Sequence, residues 1–226
     1  MKFQIPEFLH ILENYKNTSP EVHLSQMFED EKLNIFQGQF EKENKEEKIE
    51  FSSIIKNDKT ILLRNFTNNL KNSVTFFEDV ITLGKKEGFL VILHNHPNGI
   101  ALPSYGDIYT TILLRTKNVI STTDGTYNSM IINHNRFGIK NEKTLEERAS
   151  KYRDEILALE KEMKTNFIKS NPDFEEIDMK SAKFKSGLNE YYHKDENMLP
   201  YYDKFNNALP EDIDIKLYNK KTNKYI

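Results

Sequence analysis

Two histidines two positions apart, His94 and His96, follow the continuous apolar run FLVIL at 89–93. A strand buried on both faces shows such a run. If the strand ends at the pair and the chain turns at Pro97, Asn98 and Gly99, both imidazoles can point at one place. Farther on, Ser104 and Asp107 stand three apart at the start of a predicted helix, so the Asp107 carboxylate can reach the same place from the other side. Two neutral imidazoles and a carboxylate suit Zn²⁺. Three protein ligands leave the fourth tetrahedral position for water, whose pKa the metal lowers towards ~7, and that is hydrolytic chemistry.

Each part has a plainer reading. A lone histidine at a strand end is more often a satisfied surface or core residue than a ligand, and a His-x-His pair narrows that difference. Ser104-x-x-Asp107 alone is a capping box that satisfies the donors at a helix start. The window as a whole differs from its parts, because the histidine pair, the turn residues and the capped carboxylate converge on one point.

Around this window, residues 5–16, with Pro6 at the first helical position, read as a short amphipathic helix, and a second is expected after Ser19–Pro20. From 33 the pattern reads as β: LNIFQGQF (33–40), IEFSSII (49–55), a KNDK turn at 56–59, and TILLRNF (60–66). Ser73 can cap a helix over 74–87 that Gly88 stops. Ser104 opens a helix over 105–117, and NVISTT, Asp124–Gly125 and TYNSMII read as a hairpin. The order β-β-β-α-β-α-β-β is that of an α/β domain over 31–139. It follows an N-terminal helical segment, 1–30, and precedes a C-terminal extension, 140–226, expected to be helical. In the extension, Leu145, Ala149, Tyr152, Ile156, Leu159 and Met163 form one seam of a helix over 141–169, and aromatic residues are scattered beyond it. The seam is expected to pack on the domain and the remaining tail to be a loose extension. His10, His23, His134 and His193 read as ordinary helix or loop residues.

Composition narrows the chemistry. The chain has no cysteine, so any metal must be held by histidine and carboxylates. A net charge of −3 offers no electrostatic footprint for nucleic acid over the whole chain. No segment reaches the ~18 apolar residues of a membrane span, and a cytoplasmic location is the default expectation.

His-x-His, seven residues, Ser-x-x-Asp resembles the JAMM motif of the JAB/MPN zinc metalloprotease superfamily. HNHPNG and the later DGTYNSM at 124–130 are similar to its RadC-like branch, and the resemblance covers 49–135. It implies a JAB/MPN-like (cytidine-deaminase-like) mixed sheet flanked by helices, with Zn²⁺ on His94, His96 and Asp107 and with Ser104 donating to the oxyanion. It also implies an upstream Glu that moves the proton. RadC-like chains carry that Glu near position 60, where this sequence has Asp58, Lys59 and Thr60. In the broader group it opens the first strand of the hairpin, where Glu50 stands and Glu47 is the alternate. The plain reading of either is a solvated charge at a strand end.

The resemblance implies hydrolysis of a peptide or isopeptide bond in a protein substrate, for example at the C-terminal tail of a ubiquitin-like protein, reached in extended form along a sheet edge. A RadC-like role in DNA repair or mobile-element biology ranks second, and a metal-free scaffold third. No candidate ligand lies beyond Asp107, so the region after 140 is expected to be dispensable for metal binding.

Overall fold

The computed structural model describes residues 27–44, 49–68, 75–97, 99–122, 126–138, 141–179 and 181–226. The helices expected at 5–16 and after Ser19–Pro20 lie outside these residues, as do Ser73 and Glu47. The chain is an α/β fold built on one mixed sheet of seven strands flanked by helices.

Helix α1, Glu31–Glu43, occupies the stretch read as the first strand. Asp30 decides this locally, since its carboxylate accepts from the backbone N–H groups of Lys32 and Leu33 and so satisfies the donors of a helix start. The apolar residues also fit a helix, because Leu33, Phe36 and Phe40 recur at three and four and are all buried. The alternation of Leu33 with Ile35 is a coincidence of a short run. Helix α1 packs against Leu93, Val119 and Met130 on one face of the sheet.

Strands β1 (Ser52–Ile55) and β2 (Ile61–Phe66) form the expected hairpin. Helix α2, Glu78–Glu87, ends at Gly88, whose φ of +71° is a conformation glycine adopts without strain. Phe77 stands at its N-cap without a side-chain cap bond. Strand β3, Val91–His96, then runs through both histidines, with α3 (Tyr105–Leu113), β4 (Lys117–Thr122) and β5 (Tyr127–Asn133) after it. Helix α3 is shorter than expected: the chain leaves it at Leu114–Arg115, and Arg115 takes a φ of +53°.

The helix read over 141–169 is two, α4 (Glu142–Lys151) and α5 (Arg153–Ser170), which meet at Tyr152. Of its seam, Leu145, Ala149, Ile156 and Met163 are buried. Helices α6 (Ala182–Tyr192) and α7 (Asp195–Ala208) follow. The tail then does something its composition did not announce: β6, Ile213–Asn219, pairs antiparallel with all of β5, and β7, Lys224–Tyr225, closes that edge. The sheet order is β2-β1-β3-β4-β5-β6-β7, in which only β3 and β4 are parallel.

The tail is therefore part of the body of the protein. Its Ile156, Phe167, Phe205 and Ile215 share one hydrophobic cluster with Ile108 and Ile112 of α3 and Ile120 of β4. Around Phe167, the rings of Phe174, Phe184 and Tyr191 have centroids 4.8, 5.3 and 5.7 Å away, in the edge-to-face arrangement aromatic quadrupoles favour. Among the described residues no helix is long and apolar enough to cross a membrane.

Cutting the chain after residue 140 would unpair β5 from β6 and strip the cluster of its tail residues. This truncation is expected to lose the cooperative thermal transition and, with it, metal binding. Within the intact chain, Phe167→Ala is expected to cost ~3–5 kcal/mol by urea denaturation, the usual cost of deleting a fully buried phenyl ring. A truncated protein that melts cooperatively near the full-length midpoint would contradict this account.

Candidate metal centre

Strand β3 is buried on both faces, with Leu93 towards α1 and Ile92 towards α2. His94 continues the Ile92 face and is 4% exposed. The strand persists to His96, so the two imidazoles leave the same face, two residues apart. The turn that follows brings His96 back: Gly99 N–H donates to the His96 carbonyl at 3.0 Å, and the His96 ring bonds through Nδ1 to the carbonyl of Ile100 at 2.9 Å. Gly99 has a φ of +73°, and a Cβ there would lie 1.9 Å from Nε2 of His193. The positive φ favours glycine, and a Cβ would in addition push the His193 ring aside. His193, read from the sequence as an ordinary residue, thus lies against the metal loop.

The ring of His94 is held by a residue the motif does not contain. Asn118, on β4 in parallel register beside Ile92, gives its amide nitrogen to the Asp107 carbonyl at 3.3 Å. Its Oδ1 then faces Nδ1 of His94 at 3.0 Å and can only accept, so Nδ1 carries the proton. Nε2 is left with a free lone pair. The bond from His96 Nδ1–H to the Ile100 carbonyl does the same for His96.

Asp107 arrives on the first turn of α3. Ser104 is the N-cap of that helix, with the full capping box: its Oγ accepts from Asp107 N–H at 3.3 Å, and its own N–H donates to Asp107 Oδ2 at 2.7 Å. The hydroxyl donates to the same Oδ2 at 2.8 Å. The capping reading and the ligand reading are compatible, since the box is what aims the carboxylate at the histidines.

The three polar groups meet closely. The two Nε2 atoms are 3.2 Å apart, His94 Nε2 is 3.0 Å from Asp107 Oδ1, and His96 Nε2 is 3.5 Å from Oδ2. For tetrahedral ligands at Zn–N and Zn–O lengths of about 2.0–2.1 Å, geometry demands separations of roughly 3.3 Å. The two edges to Asp107 run to different carboxylate oxygens, and with one ligand atom taken from each residue all three lie within 4.8 Å of one another. Among the described residues, His94, His96 and Asp107 form the group able to hold a metal ion.

Glu50 joins them from the segment that leads into β1. That strand pairs antiparallel with β3, Ser52 opposite His94, so continuing the register brings Glu50 level with His96 on the same face. Asn95 clamps this end, accepting from Phe51 N–H at 2.6 Å and donating to the Ile49 carbonyl at 3.1 Å. Glu50 is 8% exposed, which removes the solvated-charge reading. It lines, with Ser52, His94, Asp107 and Asn118, a cavity of about 40 Å³. That is room for a water molecule or two.

Burial moves the titrations. Burial raises the Glu50 carboxyl, and Asp107 adds to the rise against the opposing pull of His94 and His96. His94 would be lowered by burial, but Asp107, Glu50 and the Asn118 bond together leave it raised. For Asp107 burial acts upward, and the two histidines outweigh it and hold the carboxyl well below its ordinary range.

Compared with family models, with curated proteins and with solved structures, the chain finds no match.

A raised His94 means that protons compete with a cation for Nε2 above the ordinary histidine range of about 6.5. Divalent-metal affinity is expected to fall as pH is lowered from 8 to 6, approaching tenfold per unit once His94 titrates. Titration calorimetry that finds constant affinity over that range would refute it. His94→Ala, His96→Ala and Asp107→Asn are each expected to abolish stoichiometric metal. Asn118→Leu, which keeps all three ligands, is expected to weaken it by ~10–100-fold, the usual effect of losing a partner that orients a ligand.

Proposed function

We propose that this protein is a zinc-dependent hydrolase of JAMM type that cuts a peptide or isopeptide bond in a protein substrate. The observation that carries the reading is the convergence of His94, His96 and Asp107, whose nearest polar atoms lie 3.0–3.5 Å apart, beside a cavity that His94 and Asp107 line together with the buried Glu50. A structural zinc site closes its shell with four protein ligands, whereas three leave a place for water. The donor set of two imidazoles and a carboxylate fits Zn²⁺, which when bound supplies Lewis acidity and lowers the pKa of water. The JAB/MPN resemblance and a ubiquitin-like substrate belong to the same proposal.

The chain's own residues divide the remaining work. Glu50 takes the proton of the attacking water and returns it to the leaving amine. A carboxyl raised towards neutrality by burial suits both steps, because it accepts a proton readily and still gives it up. Ser104 donates its hydroxyl to the oxygen of the substrate carbonyl as negative charge gathers there, a contribution of ~3–4 kcal/mol for one such donor in other hydrolases. Its present acceptor, Asp107 Oδ2, keeps the Ser104 N–H at 2.7 Å when the hydroxyl turns away, so the carboxylate stays aimed. Asn118 and the Ile100 carbonyl hold the tautomers that leave both Nε2 atoms free.

The test is hydrolysis of quenched-fluorescent peptides and of ubiquitin-like fusions by the zinc-loaded protein. Glu50→Gln is expected to retain one zinc per chain and lose ~10²–10⁴-fold in kcat. Ser104→Ala is expected to retain zinc and lose ~10²–10³-fold. If Glu50→Gln cleaves like the wild type, Glu50 is not the proton carrier. If zinc-loaded wild type cleaves no member of either panel, the peptidase reading falls.

A further inference from the structure

A second cavity opens beside the metal centre and shares two of its residues. It has a volume of about 190 Å³, and His96 and Ser104 form the wall nearest the ligands. Leu102 also lines it, and the C-terminal helices add Met163 and the charged Lys164 of α5, Leu188 of α6 and Phe205 of α7. Leu102, Met163 and Phe205 are nearly inaccessible to solvent, while Leu188 is half-buried at the mouth.

The far wall is tied to the site. Glu160 of α5, which also borders the cavity, accepts from Tyr105 N–H at 2.8 Å, the first residue of the helix that carries Asp107. A displacement of α5 would therefore be felt at the capping box. The cavity is smaller than the roughly 300–1,000 Å³ of sites that enclose a whole drug-sized ligand. Its size and apolar walls fit one side chain, and its contact with His96 and Ser104 puts that side chain next to the bond being attacked.

We propose that this pocket takes a branched or unbranched aliphatic side chain, of leucine or methionine size, from the substrate residue that flanks the scissile bond. The inference rests on the hydrolase reading and adds to it the substrate class. Selection lies in the C-terminal helices, and Leu188 is its adjustable residue, because it is only half-buried and lies on the edge of the main hydrophobic cluster, whereas Met163 and Phe205 are buried within it.

The test compares two chelators that differ only in an isobutyl group, N-acetyl-leucine hydroxamate and N-acetyl-glycine hydroxamate, binding to zinc-loaded full-length protein by calorimetry. The leucine compound is expected to bind about 10–100-fold more tightly in the wild type, the usual reward for filling an apolar pocket. Leu188→Trp, which fills the pocket, is expected to erase that preference while leaving the glycine compound within about twofold. Leu188→Ala, which enlarges the pocket, is expected to shift the preference to the phenylalanine analogue and guards against a tryptophan variant that fails to fold. Equal binding of the leucine and glycine compounds to the wild type overturns the pocket assignment alone. So does a leucine preference that survives Leu188→Trp in a protein that still melts cooperatively. Failure of the glycine compound to bind protein that carries zinc overturns the open-site reading, and the pocket assignment with it.

Discussion

Two imidazoles and a carboxylate within 3.5 Å of one another, largely withdrawn from water, are tolerated by a folded chain only if their charge and their hydrogen bonds are accounted for together. A histidine pair alone would be forced neutral by burial, and the carboxylate alone would be forced to protonate. Side by side they stabilise one another's charged or liganded forms. Every local feature of the centre serves this condition: Asn118 orients His94, the Ile100 carbonyl orients His96, and the Ser104 cap fixes Asp107. These supports come from a neighbouring strand, a turn and a helix start. The site can therefore exist only where β3, β4 and α3 are already packed.

The parallel pairing of β3 and β4 is the topological expression of the same need. The helix that crosses between them, α3, must return over the sheet face that His94 points to, and its N-terminus falls beside the end of β3. A carboxylate in its first turn meets the histidines as a consequence of that crossing. The antiparallel β1 on the other side supplies Glu50 through its register with β3. The opposite face, covered by α1, is held by apolar contacts and by Gln37, whose amide nitrogen donates to Ser121 Oγ.

How much of this could be read from residues alone depended on whether the signal was local. The meeting of His94, His96 and Asp107, the Ser104 cap, the Gly88 stop and the β1–β2 hairpin are legible because each is written in nearby residues with a fixed spacing. The place of Glu50 beside them is legible only as one of two candidates, since it depends on the β1–β3 register. The stretch 33–40 was misread because Leu33 and Ile35 alternate like a strand, while the deciding Asp30 lies outside the run. Asn118 was invisible for a different reason: nothing in NVISTT marks an asparagine that will face a histidine across a parallel ladder. The strand nature of 213–219 was missed likewise, because DIDIKLYN alternates well but stands in polar surroundings that read as tail.

The C-terminal helices complete the main hydrophobic cluster and also wall the pocket beside the metal, with Met163 and Phe205 belonging to both. In most enzymes selectivity resides in surface loops that can drift without penalty to the fold. Here the two properties draw on the same side chains. Mutational drift at those positions is judged twice, once by whether the chain still folds and once by whether the pocket keeps its shape, so on the proposed reading the range of substrates open to descendants of this chain is narrow.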